Sequence, residues 1–189
     1  FGSNGTTMNL TTTAALTVGD GGSANYANFA ASTGALTLLG TARRTKSEFI
    51  PASAFLTHAG SGAAGTQVGA GIFRGWSLDP TSDEAVQAQW VIPDNVVAAT
   101  AGNAYVYWSS GTGGSAVVWD VQTVVIADAA VLTGAGTTNS VTDTGEAVLD
   151  SLNVTAAMAT AALTAGSILA VRVNRDANHA SDTLAADAV

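Results

Sequence analysis

The chain has 189 residues and a mass of 18.7 kDa, and 11% of its residues are charged, against roughly a quarter in ordinary soluble domains. Six Lys and Arg face fourteen Asp and Glu, which gives a net charge of -8 at pH 7. This balance disfavours nucleic acids and anionic membrane surfaces as partners, because both are bound through Lys and Arg. The absence of Cys excludes disulfide frameworks, thiol catalysis and zinc sites built on Cys.

Hydrophobic residues make up 47% of the chain but aromatic residues only 6%, so most of the apolar content is small. The mean hydropathy of +0.30 is the opposite of what disordered chains have. A chain of this length suits one domain with a sizeable core. No apolar run reaches the ~20 residues of a membrane-spanning helix.

Residues 1–45 form a distinct first segment that is rich in Thr, Ala, Gly and Ser. Alternating stretches at 10–18 and 35–39 suit short strands, and the Gly19-Asp-Gly-Gly22 cluster between them is a turn signal. Large apolar side chains are too few here for an independent core. We therefore predict an extended N-terminal arm that orders against a neighbouring chain, with an integral first hairpin of the main domain as the alternative.

Short predicted strands separated by turns follow from residue 46 onward. Residues 48–56 contain Pro51 and suit an edge strand or a bend. Residues 57–70 form a predicted Gly/Ala/Ser loop, and a strand is predicted over 72–78. Along 85–92, apolar residues alternate with Gln, which predicts a strand with one buried face.

The second half of the chain continues this pattern. Residues 104–109 and 116–127, joined by a Gly-rich loop, are the best hairpin candidate. Residues 140–144 suit an edge strand, and the alternation along 168–174 predicts another strand. The stretch 146–163 is ambiguous between helix and strands, and its Thr content favours strands. About eight short strands and no long amphipathic helix predict an all-β fold, an antiparallel β-sandwich of jelly-roll type, over residues 46–189.

Residues that could carry catalysis or bind a metal are sparse. His58 and His179 are the only imidazoles, and no nucleophile motif such as GxSxG is present. Asp176, His179 and Asp182 are close enough in sequence to be weighed as metal ligands, although a solvated loop is the preferred interpretation. The Gly-rich loops lack the Lys-Ser/Thr of a phosphate-binding loop. We therefore predict no catalytic residue, no metal site and no cofactor.

The four Trp residues raise the question of sugar binding, because flat indole rings stack on sugars. Trp90 and Trp119 share strand faces with Val and Ile, so we predict that both lie in the core. Trp108 is more open in this pattern. Together with Tyr105 and Tyr107 it forms a candidate ligand platform.

Several residues are candidates for contacts between subunits. Arg172 lies between two Val residues on a predicted strand, so its side chain points to the wet or inter-subunit face. There it either pairs with a carboxylate through its planar fork or remains a satisfied surface Arg. The other interface candidates come from the N-terminal segment: Leu10, Leu16, Val18, Tyr26, Phe29, Arg43 and Arg44.

Several spaced stretches resemble β-sandwich domains of tailed-phage virion proteins. They are FRGWSLDP at 73–80, DEAVQAQWVIPD at 83–94, VYWS at 106–109, VVWD at 117–120, LTAG at 163–166 and LAVRVNRD at 169–176. Such domains occur in capsid decoration (cement) proteins, head fibres and tail-fibre modules, commonly after a low-complexity N-terminal segment. Similar domains usually continue with a final strand. Either residues 184–189 supply that strand, or the chain is incomplete.

The resemblance implies a virion structural protein on the outer capsid surface. Its simplest form is a homotrimeric capsid decoration protein that contacts itself and the major capsid protein or another virion protein. One alternative is an adhesive or carbohydrate-binding module of a tail fibre or surface filament. Another is a hydrolase, which would require two carboxylates or a His-centred site in a cleft. Neither nucleic acid nor a membrane is expected as a partner.

Overall fold

The computed structural model describes residues 16–19, 26–30, 33, 35–38, 46–67, 73–94, 96, 100–132 and 136–189. The chain divides into two compact units, Phe1–Phe49 and Ile50–Val189. Composition predicts this boundary after residue 45.

The described residues consist of short antiparallel strands with one 3-10 helix, Ala52–Ala54. The strands in chain order are β1 Leu16–Gly19, β2 Tyr26–Phe29, β3 Leu36–Leu38, β4 Leu56–Thr57, β5 Ala64–Gln67, β6 Arg74–Ser77, β7 Glu84–Val91, β8 Thr100–Ala104, β9 Tyr107–Trp108, β10 Ala116–Ile126, β11 Thr137–Thr144, β12 Asn153–Val154, β13 Met158–Leu163 and β14 Ile168–Arg175. The all-β prediction is therefore confirmed. Within the described ranges, no helix is long and apolar enough to cross a lipid bilayer.

The first unit contains a three-stranded antiparallel sheet in the order β1-β2-β3. The turn between β2 and β3 is closed by the backbone amide of Ala30, which donates to the carbonyl of Ala35 at 2.9 Å. The strand predicted at 35–39 is confirmed over Leu36–Leu38. The strand predicted at 10–18 is described only from Leu16 onward.

The second unit is built on a five-stranded sheet in the order β11-β10-β14-β7-β4. Its longest strand, β10, buries Val117, Trp119 and Val121 at alternate positions, as the period of two predicts. Val121 lies opposite Val173 of β14, which lies opposite Val86 of β7, so an apolar row crosses three strands on one face of the sheet.

A second layer is made of three short strand pairs, β5–β6, β8–β13 and β9–β12. Ala188 bridges Leu78, just after β6, and Ser110, just after β9, and so connects two of these pairs. Thr155 connects the β9–β12 pair to β8–β13, because its amide donates to the carbonyl of Val106 at 3.1 Å. Residues 188–189 thus pair with the backbone just after β6 and just after β9.

The hydrophobic core lies between the two layers. Its buried members from the five-stranded sheet are Val86, Val117 and Trp119, and those from the second layer and its loops are Ala63, Leu78, Trp108, Leu184 and Ala188. Two layers with a shared core are the arrangement of a β-sandwich. The jelly-roll order of connections stays a prediction.

Two indole rings form the centre of this core. The rings of Trp108 and Trp119 lie 6.0 Å apart at 58°, within the range of favourable tilted aromatic pairs. The Nε1 atom of Trp108 donates to Oδ2 of Asp143 at 2.7 Å. The Nε1 atom of Trp119 is buried and has no partner among the described residues. The core prediction is confirmed for Trp119, whereas Trp90, near the end of β7, is only partly buried.

Arg175 is the one fully buried cation of the described residues. Its Nε and Nη2 atoms donate to the two carboxylate oxygens of Asp182 at 3.0 and 2.9 Å. Its remaining N–H groups reach the carbonyls of Leu78, Leu184 and Ala186. All five guanidinium hydrogens therefore have acceptors, and the side chain ties β14 to the C-terminal segment.

Two local predictions are wrong, and a third is confirmed over part of its range. The hairpin of 104–109 with 116–127 does not form, because β10 pairs with β11 and β14 while β9 pairs with β12. The loop predicted over 57–70 contains β5. The stretch 146–163 is strand as favoured, but only over β12 and β13. Partners distant in sequence decide the pairing of β10 with β14 and of β9 with β12, whereas β5 pairs with the nearby β6.

Candidate functional site

The N-terminal sheet has one apolar face. Val18, Ala27 and Leu38 lie opposite one another across its three strands, and Phe29 lies opposite Leu36 in the next row of the same face. The residues between them, Asn28 and Thr37, therefore belong to the other face. Val18 is 60% exposed, Phe29 42% and Leu36 54%. Three large apolar side chains thus lie in solvent on a single face of a small sheet.

The predicted interface residues fall into three groups. Val18 and Phe29 lie on this apolar face. Leu16 and Tyr26 lie in β1 and β2, but only their backbones are described. Leu10, Arg43 and Arg44 lie outside the described residues. Arg172 belongs to the second unit, on the outer face of the five-stranded sheet.

The candidate ligand platform needs a correction. Trp108 is 1% exposed and packs on Trp119 in the core, so it cannot present a ring to a sugar. Tyr105 and Tyr107 are half exposed. The reason is the alternation along the chain, which places Tyr107 outward and its neighbour Trp108 inward.

A polar pocket of about 270 Å³ lies on the outer side of the five-stranded sheet. Its lining includes His58, Ser61, Asp83, Arg172 and Asn174. The turn from His58 to Ser61 is closed by a 2.9 Å bond from the amide of Ser61 to the carbonyl of His58, and Gly60 has φ +83° there. This turn forms one wall, and β7 and β14 form the floor.

Several bonds fix the wall of this pocket to the sheet. The hydroxyl oxygen of Ser61 accepts from the amides of Ala85 at 2.8 Å and Ala63 at 3.3 Å. The backbone amide of His58 donates to the carbonyl of Ala85 at 3.0 Å, and its Nδ1 lies 2.9 Å from Oε1 of Gln87. No local sequence signal indicates this grouping, because its members come from three separate stretches of the chain.

Acidic side chains collect at the end of the sheet next to this pocket. Burial raises the pKa of Asp176, and the charges of Asp83, Asp120 and Asp182 raise it further, while His179 acts in the opposite direction. Asp79 differs, because hydrogen bonds from the hydroxyl and amide of Thr81 hold the pKa of its carboxyl below the usual range.

Asp176, His179 and Asp182 do not form a metal-binding group. Asp182 is committed to Arg175, and Nδ1 of His179 accepts from the amide of Ser181 at 3.1 Å. Among the described residues, no three His, Asp or Glu side chains are grouped so that they could hold a metal ion.

Asp176→Asn is expected to stabilise the protein at pH 7. A carboxyl whose pKa is higher in the folded state than in the unfolded chain favours folding when protonated, so its stabilising effect is lost as the pH rises above 3.8. At neutral pH its charge therefore opposes folding. Urea denaturation at pH 7 should show a higher midpoint for Asp176→Asn, and below pH 3.8 the difference should vanish. A matched change of the exposed Asp128 to Asn should leave the midpoint unchanged at both values, and a lower midpoint for Asp176→Asn at pH 7 would contradict the assignment.

No family model, curated protein or solved structure matches this chain. The functional argument therefore depends on the geometry and composition of the chain itself.

Proposed function

We propose that the protein is a virion structural protein, a capsid decoration protein that assembles as a homotrimer on the outer shell. In this proposal the second unit is the displayed body, and the N-terminal sheet makes the contacts between copies. The observation that carries it is the exposed apolar face of β1–β3, with Val18, Phe29 and Leu36 in solvent.

The physical reason is the cost of leaving such a face in water. Burying a Val, Leu or Phe side chain contributes about 1.5–3 kcal/mol each, before the entropy of ordering is subtracted. Three such side chains per copy are enough to fasten a segment to a neighbour. Edge strands of a small sheet can also add to a sheet of another copy.

The packing of the second unit and the composition of the chain support the proposal that the second unit is the displayed body. Its C-terminal segment is built into the core through Ala188 and the buried Arg175–Asp182 pair. The chain has a single Lys and no Cys, so it offers few reactive groups on a surface that is present in many copies. Closed cyclic symmetry is the usual outcome when identical subunits associate.

The test compares two triple variants of the full chain. Val18→Ser, Phe29→Ser and Leu36→Ser together remove the apolar face of the N-terminal sheet. The control carries Val131→Ser, Phe73→Ser and Leu132→Ser, which remove the same three residue types at highly exposed positions of the second unit. Light scattering in solution measures the mass, and co-sedimentation with purified particles of the virus that encodes the chain measures attachment.

We expect the unmodified chain to have three times the 18.7 kDa chain mass and to co-sediment with the particles. The N-terminal variant should be monomeric and stay in the supernatant, and the control should behave like the unmodified chain. Deletion of residues 1–45 should leave a folded, soluble second unit that likewise fails to attach. Full particle occupancy by the N-terminal variant or by the deletion would contradict the proposal, as would a monomeric unmodified chain.

A further inference from the structure

Arg172, on the outer face of the five-stranded sheet, has no ion-pair partner among the residues that the structure describes. On the two neighbouring strands it lies opposite Gln122 and Gln87, neither of which carries charge. Its Nε atom is buried and has no hydrogen-bond partner in the described part of the chain. The ion pairs found among those residues, Lys46–Glu48 and Arg175–Asp182, do not include it.

The carboxylates closest to Arg172 in the sheet and the pocket are bonded elsewhere. Asp120, which lies one row away opposite Asn174, accepts from the hydroxyl of Ser140. Oδ1 of Asp83, in the pocket wall, accepts from the amide and the side chain of Asn178 at 3.2 and 3.0 Å. The guanidinium, which lines the pocket, therefore has no ion-pair partner among the described residues, an arrangement that favours an acceptor from outside.

Other hydrogen-bond donors lie around the same pocket. The oxygen of Ser61 accepts two amides, which leaves its hydroxyl hydrogen free to donate. Asn174 contributes a side-chain amide. Because Oε1 of Gln87 accepts, Nδ1 of His58 carries the hydrogen and donates it to Gln87, so this N–H is used within the protein.

We propose that this pocket binds a carboxylate group, with Nη–H groups of Arg172 donating to its two oxygens. The paired N–H groups on one edge of a guanidinium match the two oxygens of a carboxylate. A dianionic phosphate fits less well, because the lining holds one permanent cation and also the carboxylate of Asp83. At about 270 Å³ the pocket admits a short acid or the end of an acidic side chain. This site is in the second unit and does not depend on the role proposed for the N-terminal sheet.

The test uses acetate as the probe and acetamide as its uncharged analogue, at constant ionic strength. Amide chemical shifts of the full chain are followed by NMR. Acetate is expected to shift the amides of residues 58–61, 83–85 and 172–174 saturably, and acetamide is not. Arg172→Gln, which introduces the residue type of both cross-strand neighbours, should weaken acetate binding about tenfold or more. Arg74→Gln makes the same change in net charge at an exposed residue of β6 and should not alter binding.

A second variant covers the case in which Arg172→Gln does not fold. Asn174→Ala keeps the cation and should weaken acetate binding by about two- to tenfold. The proposal is overturned if acetate causes no saturable shift at these residues, if acetamide binds equally well, or if neither variant weakens binding.

The source of the carboxylate is decided by sedimentation of the unmodified chain with and without acetate. If a second copy of the chain supplies an Asp or Glu, acetate and Arg172→Gln should both shift association towards the monomer. If a free acid or another protein supplies it, the mass should be unchanged while acetate still binds. Both results support a carboxylate site. The N-terminal triple variant changes no residue of this pocket, so its result tests the proposed function and not the carboxylate site.

Discussion

Replacing Arg175 by Met is expected to lower the free energy of unfolding by about 3–5 kcal/mol. The side chain is fully buried and its partner Asp182 is only 2% exposed, so the substitution leaves an uncompensated carboxylate in the interior. The carbonyls of Leu78, Leu184 and Ala186 lose their donors as well. Because these acceptors belong to the C-terminal segment and the end of β6, we expect that segment to detach first.

Urea denaturation followed by circular dichroism measures this loss. Arg74→Met, at an exposed position, is the matched control and should change the free energy of unfolding by less than about 0.5 kcal/mol. The double variant Arg175→Met with Asp182→Leu should recover part of the loss, because it removes the unpaired charge but not the unsatisfied carbonyls. Equal stability of Arg175→Met and the unmodified chain would show that the pair contributes nothing.

Replacing Trp119 by Ala is expected to cost about 3–5 kcal/mol, because a large cavity opens between the two layers. Substitution by Phe separates packing from hydrogen bonding. Trp119→Phe should cost much less, since the Nε1 atom that it removes has no partner among the described residues. Trp108→Phe should cost more than Trp119→Phe, because it breaks the 2.7 Å bond to Asp143 and leaves that carboxylate without its donor.

The same denaturation experiment, run on all three variants, checks the order of these effects. A Trp119→Phe variant that is less stable than Trp108→Phe would contradict the hydrogen-bond assignment. A Trp119→Ala variant within about 1 kcal/mol of the unmodified chain would contradict its place in the core.

The local sequence pattern predicts the strands well but does not predict which strands pair. The alternation at 85–92 and 168–174 correctly predicts β7, β14 and their buried faces, because a half-buried strand requires a period of two. The hairpin predicted for 104–109 with 116–127 failed because a Gly-rich loop permits a turn without determining which strands pair. The C-terminal segment fills the position next to β9 instead.

For the candidate sites, too, local sequence predicted the exposure of single residues but not which residues the fold brings together. The sequence identified Val18 and Phe29 as interface candidates from the shortage of other large apolar residues around them, and placed Arg172 on the outer face from its position between two Val residues. It missed the grouping of His58, Ser61 and Asp83 with Arg172, because these residues are far apart along the chain and no short motif links them. It misjudged Trp108, because an aromatic cluster does not reveal which ring points inward.

Composition and periodicity by themselves determined the all-β class, the absence of Cys chemistry and the alternation of buried and exposed positions, since these depend only on residue type and on neighbours along the strand. The tertiary structure decided which strands pair, how Arg175 is buried with all its donors satisfied, and why Arg172 has no ion-pair partner in the described part of the chain. The physical reason is that a charge is satisfied by the groups that the fold brings around it, which for Arg175 range from Asp182, 7 residues away, to Leu78, 97 residues away. Arg172 and Arg175 are three residues apart on one strand, yet only the fold gives Arg175 an acid and leaves Arg172 facing an open pocket.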